Sequence, residues 1–254
     1  MSTRPGAFWQ QLVQLALMLA VIAAWYAFTL PGRINPLLLP APGPVFAKFG
    51  ALLATGAMWP DLFVTVSEWL IAFVIAAVAG CVIGYLVSRT PYGVRVFDPL
   101  LAGLYSIPMI LLFPLYLLFF GLGPASKVAI GVTVAFFPIA LNTIAGLSCV
   151  QRAYVLAARS MGAGNVQLFW RVMLPAALPV VLTGLRLGGI ISFMTILGCE
   201  MISSLSGLGH RIVELAENME PVATFAYILF AILLAVLINV GIALAEARGR
   251  RWAE

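Results

Sequence analysis

Gln151-Arg-Ala-Tyr-Val-Leu-Ala-Ala-Arg-Ser-Met-Gly162-Ala-Gly-Asn-Val-Gln-Leu-Phe-Trp-Arg-Val-Met-Leu174-Pro175 is a polar stretch set between two strongly apolar ones. Tyr154 to Met161 contains good helix formers and no proline, which predicts one to two helical turns. Ala157 and Ala158 are small and let another surface approach that turn closely. Gly162 falls where a helix stops in the left-handed conformation that glycine tolerates best. Asn165 is placed to cap a second short helix, Val166 to Val172, with Leu168, Phe169 and Val172 on its apolar face. Pro175 and Pro179 fall at the start of the next apolar run, where the first helical turn best accepts proline. The pattern predicts an L-shaped bracket joined directly to a long apolar helix, so that a push on one moves the other. An amphipathic loop lying on a membrane surface has the same composition and is the alternative.

The rest of the chain is lipid-like. Of 254 residues, 63% are hydrophobic and 9% charged, against about 45–50% and about 25% in soluble domains. A mean hydropathy of +1.09 points the same way. The length accommodates one helical bundle, a single domain over residues 1–254, and leaves no room for a separate catalytic domain. Cys81, Cys149 and Cys199 are isolated and odd in number, which argues against a disulfide framework or a zinc site. The formal charge of +5 flanks apolar spans without clustering, so it reads as an orientation signal and not as a nucleic-acid surface.

Six apolar spans emerge at a length of about twenty residues each: 12–30, 65–87, 99–120, 127–147, 178–203 and 222–245. The first is too long for a signal-peptide core and no small-residue cleavage site follows it, so it is expected to stay. An even number of spans puts both termini on one side. Nine basic residues fall there: Arg4, Arg89, Arg95, Arg152, Arg159, Arg171, Arg248, Arg250 and Arg251. Four fall opposite: Arg33, Lys48, Lys127 and Arg211. The positive-inside rule therefore predicts cytoplasmic termini and a cytoplasmic polar segment, with Pro31–Glu68 and Gly207–Pro221 outside.

Pro108 and Pro114 interrupt the third span and Pro138 the fourth. Each removes a backbone donor and clashes with the preceding turn, a local kink suited to a gated pathway. Prolines are also simply commoner in membrane helices. Gly80-x-x-x-Gly84 and Gly184-x-x-x-Gly188 predict close helix packing.

The run Ala157-Ala158-x-x-x-Gly162, nine residues, then Val172-x-Leu174-Pro175 resembles the signature loop of binding-protein-dependent ABC importer permeases. That signature reads Glu-Ala-Ala, three residues, Gly, nine residues, Ile-x-Leu-Pro, and it stands before the penultimate span, as here. Leu39-Pro-Ala-Pro-Gly-Pro-Val45, Ile107-Pro108 through Phe119-Phe-Gly-Leu-Gly123, Phe137-Pro-Ile-Ala-Leu-Asn-Thr143 and Ser204-Leu-Ser-Gly-Leu-Gly209 resemble the aliphatic sulfonate, taurine and nitrate branch. Two positions depart: Leu156 stands for the signature glutamate and Val172 for its isoleucine. The first change removes a carboxylate that could meet an arginine of an ATPase.

The resemblance implies an all-α, polytopic membrane bundle of about six spans with the type I ABC importer fold, in a bacterial inner membrane. It implies two permease copies, two ATP-binding subunits and an extracytoplasmic solute-binding protein that delivers a small anion. ATPase contact passes to Leu156, Ala157, Ala158, Arg159, Ser160, Met161, Gly162 and Ala163, in a coupling loop at about residues 150–177. This chain is expected to bind no cofactor, with ATP and Mg held by the partner ATPase. A P-loop needs G-x-x-x-x-G-K-[ST]. The nearest run, Gly121-Leu-Gly-Pro-Ala-Ser126-Lys127, lacks the second glycine.

Enzymatic readings find little purchase. His210 is the single histidine, placed in an outer loop, and no ligand cluster surrounds it. Glu200 is the acidic residue read within a span, close to the outer interface, where an outer gate, helix pairing or substrate contact are the available roles. Met109, Phe113, Ser192 and Thr195 are read as facing the pathway. An ion-driven secondary transporter or a channel is the alternative class. The first would need more spans, repeats and buried charges, and the sequence shows neither a repeat nor a buried ion-pair network.

Overall fold

The computed structural model describes residues 5–30 and 34–251. Arg4 and Arg33, and the side chains of Arg248, Arg250 and Arg251, all used in the charge count, lie outside what is described. The described residues form helices and connections with no strand. In chain order these are α1 (Pro5–Phe28), α2 (Pro42–Thr55), α3 (Trp59–Ser88), α4 (Pro91–Tyr105) and α5 (Phe113–Phe120). They continue with α6 (Pro124–Ser148), α7 (Arg152–Ser160), α8 (Asn165–Leu168), α9 (Leu174–Ile202), α10 (Leu208–Glu217) and α11 (Pro221–Arg251).

Four helical stretches are long and apolar enough to cross a membrane: α3, α6, the continuous run Asn165–Ile202, and Pro221–Leu244 of α11. α4 and the Met109–Phe120 segment together make a fifth, broken by a 73° bend. Leu12–Phe28 of α1 is apolar but shorter. Of the six expected crossings, four are thus whole and one is broken, and the first falls on this shorter helix. The break has the anticipated cause. Pro108 is extended and cannot donate, a 3₁₀ turn follows over Met109–Leu112, and Pro114 opens α5. By contrast, Pro138 is absorbed within α6, which runs on through it.

The chain divides into two compact units: Met1–Trp59 with Arg211–Ala231, and Pro60–His210 with Ile232–Glu254. In the first, Trp25 donates from Nε1 to the Pro40 carbonyl at 3.0 Å and stacks on Phe225 at 6.2 Å. Phe49 meets Phe230 at 6.3 Å. Arg211 bonds Glu214 at 2.6 Å, which holds its guanidinium charged further into the alkaline range.

The second unit is built on α6, gripped between α3 and α9. Its Ile139 is fully buried, and glycines flank it on both sides. A Cβ placed on Gly80 of α3 would fall 2.8 Å from Ile139 Cγ2, and one on Gly188 of α9 would fall 2.7 Å from Ile139 Cγ1. Gly84 and Gly184 repeat the pattern one turn away, against Thr143 and Asn142. Both small-x-x-x-small pairs therefore serve close packing on α6. The outward faces of α3 and α11 remain apolar and uncovered, with Val78 61% and Leu237 68% exposed. That pattern suits lipid and would be a liability in water.

Candidate functional site

α7 forms from Arg152 to Ser160 and ends in a Schellman turn. The Ala163 N–H bonds the Ala158 carbonyl at 3.0 Å, and the Gly162 N–H bonds Arg159 at 2.9 Å. Gly162 carries φ +82°, as its position in the sequence predicts. Asn165 does not cap the second helix. Gly164 takes that place, and the Gln167 carboxamide accepts from its N–H at 3.4 Å. Asn165 instead accepts from the Arg159 guanidinium at 2.6 Å, tying the two arms of the bracket together. The cap falls one residue earlier than the sequence suggests because glycine serves that position almost as well.

The second arm does not stop before the apolar helix. A π-helical turn over Phe169–Met173 joins α8 to α9, so Asn165–Ile202 runs as one 38-residue helix. Pro175 supplies the reason: its ring crowds the Arg171 carbonyl and it has no N–H to return, and a wider turn relieves both. Phe169 packs on Tyr85 of α3 at 4.6 Å between ring centroids, and Leu168 is buried.

The bracket residues divide by exposure. Leu156 (65% exposed) and Met161 (82%) point outward, with Ala157, Arg159, Ser160 and Gly162 also exposed. Ala163 is half-buried and Ala158 faces inward.

The residues read as pathway-lining lie elsewhere. Phe113 is buried against Ile130, Val134 and Cys199, with Met109 beside it. Ser192 is buried, and its hydroxyl has no partner among the described residues. Thr195 spends its hydroxyl on the Ile191 carbonyl of its own helix at 2.9 Å. Glu200 is 1% exposed and accepts from Thr65 at 2.8 Å and from the Gly209 N–H at 2.8 Å.

Several expectations are corrected here. Glu68 and Lys127 do not sit in outer loops. Both are buried within α3 and α6, and they pair at 2.6 Å. The chain therefore does contain a buried ion pair, and Glu200 is not alone among acidic residues in the spans. A second ion pair joins Glu246, just past the Pro221–Leu244 span, to Arg186 of α9 at 3.5 Å. His210 lies in the first turn of α10 and not in a free loop. The P-loop-like run is committed elsewhere: Ser126 donates to the Gly123 carbonyl and Lys127 is bound to Glu68. A lysine one turn inside an apolar span was the signal that could have exposed this pairing.

Known proteins share this layout. Residues 72–253 match the family described as "Binding-protein-dependent transport system inner membrane component". The taurine transport system permease protein TauC of Escherichia coli K12 is 28% identical over 96% of this chain and 90% of its own length. The putative aliphatic sulfonates transport permease protein SsuC of the same organism is 32% identical over 93% of this chain and 90% of its own. Among solved structures, a chain of the MetNI methionine ABC transporter superposes with a TM-score of 0.62 at 19% identity, over 78% of this chain and 98% of that one. The all-helical layout, the bracket before the penultimate span and the match across most of the sequence agree: the chain belongs to the binding-protein-dependent transport system inner membrane component family and is the transmembrane permease subunit of an ABC importer.

Proposed function

We propose that two copies of this permease form a pathway for a small sulfonate-type anion, taurine or an alkanesulfonate, driven by two separate ATP-binding subunits. The substrate class is supported by the names of the relatives TauC and SsuC. A soluble binding protein delivers the anion from outside, and ATP and Mg are held by the ATPase. Both termini and the loop at about 150–177 of this single transmembrane domain face the cytoplasm. The nine-to-four distribution of basic residues supports that orientation.

One observation carries the coupling role. The exposed surface Leu156, Ala157, Arg159, Ser160, Met161 and Gly162 sits on a turn closed by two backbone bonds and continuous with a membrane-length helix. Contact with an ATPase that differs between its open and closed states would shift α9 by the same differential free energy. Leu156 offers an apolar contact where the family signature offers a carboxylate.

The test is reconstitution with the ATPase and binding protein in vesicles. Labelled taurine should enter only when ATP is supplied at the cytoplasmic face, and unlabelled sulfonates should compete. Uptake that persists without nucleotide and follows a proton gradient would overturn the reading.

A further inference from the structure

Three helices hold the segment Ser204-Leu-Ser-Gly-Leu-Gly209. Lys127 of α6, while paired to Glu68, also donates to Ser204 Oγ at 2.9 Å. Ser204 in turn donates to the Ser206 carbonyl at 2.7 Å. At the other end, Thr65 of α3 accepts from the Leu208 N–H at 2.9 Å and donates its own hydroxyl hydrogen bond to Glu200. Glu200 of α9 also takes the Gly209 N–H at 2.8 Å. Gly207 lies against the Glu200 carboxylate with φ +105°, where any Cβ would overlap it. Thr65 and Glu68 stand three residues apart on one face of α3, so both ties share a single wall.

We propose that Thr65, Lys127 and Glu200 form a latch that fastens residues 203–209 across the ends of the spans opposite the bracket, and that translocation requires the latch to open. Which side that end faces rests on the orientation given under Proposed function. Three features distinguish a latch from permanent packing. Most of the ties to the segment run from a side chain to its backbone or to a serine, so water can replace them one at a time as the segment lifts. Its outer surface is free of packing, with Leu205 80% exposed. Beside it, the second oxygen of Glu68, whose partner Lys127 ties the segment, has no hydrogen-bond partner among the described residues. Water that enters as the segment lifts can donate to that oxygen. Thr65, Lys127 and Glu200 act by positioning this segment and need not touch the substrate.

Cys199 is a native reporter, fully buried beside Glu200, whereas Cys81 is half-buried and Cys149 exposed. The experiment uses the permease assembled with its ATPase in membrane vesicles of known sidedness, with Cys81 and Cys149 replaced by alanine. The rate of Cys199 modification by a membrane-impermeant maleimide is measured alongside the melting temperature. Ser204→Ala removes the bonds to Lys127 and the Ser206 carbonyl, and Thr65→Val removes those to Leu208 and Glu200, each with little change in volume. Lys127→Met deletes the ion pair as well and is the variant at risk of misfolding. Labelling should rise by at least about tenfold in the two mild variants, since each loses a hydrogen bond to a charged or relayed group together with a second, weaker one. It should rise from the external face. Unchanged labelling in both mild variants, or a rise no larger than a matching fall in melting temperature explains, overturns the latch. A rise seen only from the cytoplasmic face leaves the ties intact as a finding and overturns the orientation instead.

Discussion

Replacing Gly188 by alanine tests the packing that defines the second unit. The added Cβ would meet Ile139 Cγ1 at 2.7 Å, Ile139 Cδ1 at 2.8 Å and the Ala135 carbonyl oxygen at 2.9 Å. Ordinary carbon contacts lie at about 3.5–4.0 Å, so either α9 backs away or Ile139 leaves its rotamer. Ile139 has no room to turn, because Gly80 of α3 closes its other side. Overpacking of this kind costs about 1–3 kcal/mol. Against it stands the helix preference for alanine over glycine, about 1 kcal/mol. Gly198, on the same helix, has nothing within 4 Å of an added Cβ, so Gly198→Ala reports the preference alone. The informative quantity is the gap between the two variants, about 2 kcal/mol, or roughly 4–8 °C in melting temperature at this chain length. Thermal unfolding in nanodiscs, followed by near-UV circular dichroism, measures it. Ile139→Ala removes two of the three offending atoms, so the Gly188→Ala penalty should shrink by about 1 kcal/mol in that background. The Ala135 oxygen remains, and the rescue should be incomplete. If Gly188→Ala and Gly198→Ala melt together, or if the Ile139 background makes no difference, the close contact of α6 and α9 is wrong.

Two further outcomes follow from single sites. Gly162→Val forces a β-branched residue into the left-handed region at about 1–2 kcal/mol, and should abolish co-purification of the ATPase with the permease. Nothing lies within 4 Å of the added atom, so Gly162→Asn, which accepts that backbone conformation, should retain capture. Equal loss in both would point to bulk at a contacted surface and away from the turn. Arg186→Gln removes the bonds to Asn239 at 3.1 Å and Glu246 at 3.5 Å. The guanidinium is 39% exposed, so screening limits the loss to about 1 kcal/mol or less. Amide exchange should quicken over residues 236–246 by less than about tenfold, and unaltered exchange there would remove the tie between α9 and α11.

The spans were legible because a run of about twenty apolar residues has few other uses. The broken third span was legible too, since Pro108 and Pro114 cannot be accommodated in one straight helix. Gly162 announced its own left-handed turn. The Glu68–Lys127 pair was not legible, for a physical reason. Hydropathy read along one dimension assigns a charge at the edge of a span to water. Only the packing of α3 on α6 brings these two, 59 positions apart, within 2.6 Å. The π turn escaped for a related reason: Pro175 reads equally well as a helix start or as an obstacle within a longer helix. Ala158 illustrates a third limit. Its small side chain suited an outer contact surface and an inner packing one alike, and only the fold turned it inward.

The same contacts decide what can move if the bracket is pushed. A 38-residue helix is about 57 Å long, enough to carry a displacement from the bracket to Glu200. Along that length the glycine-lined face of α9 leaves no slack against α6: Gly184 and Gly188 meet Asn142 and Ile139 at distances that forbid sliding. Interfaces packed that tightly switch between discrete arrangements and do not deform continuously. α6 and α9 should therefore travel as one block, and the adjustment should fall where side-chain polar ties or irregular backbone replace close packing. Those places are the π turn at Phe169–Met173, the bend between α4 and α5, and the segment 203–209. Spin labels on the outer faces of α6 and α9 should hold a constant separation through the ATP cycle, while a pair joining α6 to residue 205 should not. A changing α6–α9 distance would mean that the glycine face is a sliding surface, and the push on the bracket would then be spent within the bundle before it reached Glu200.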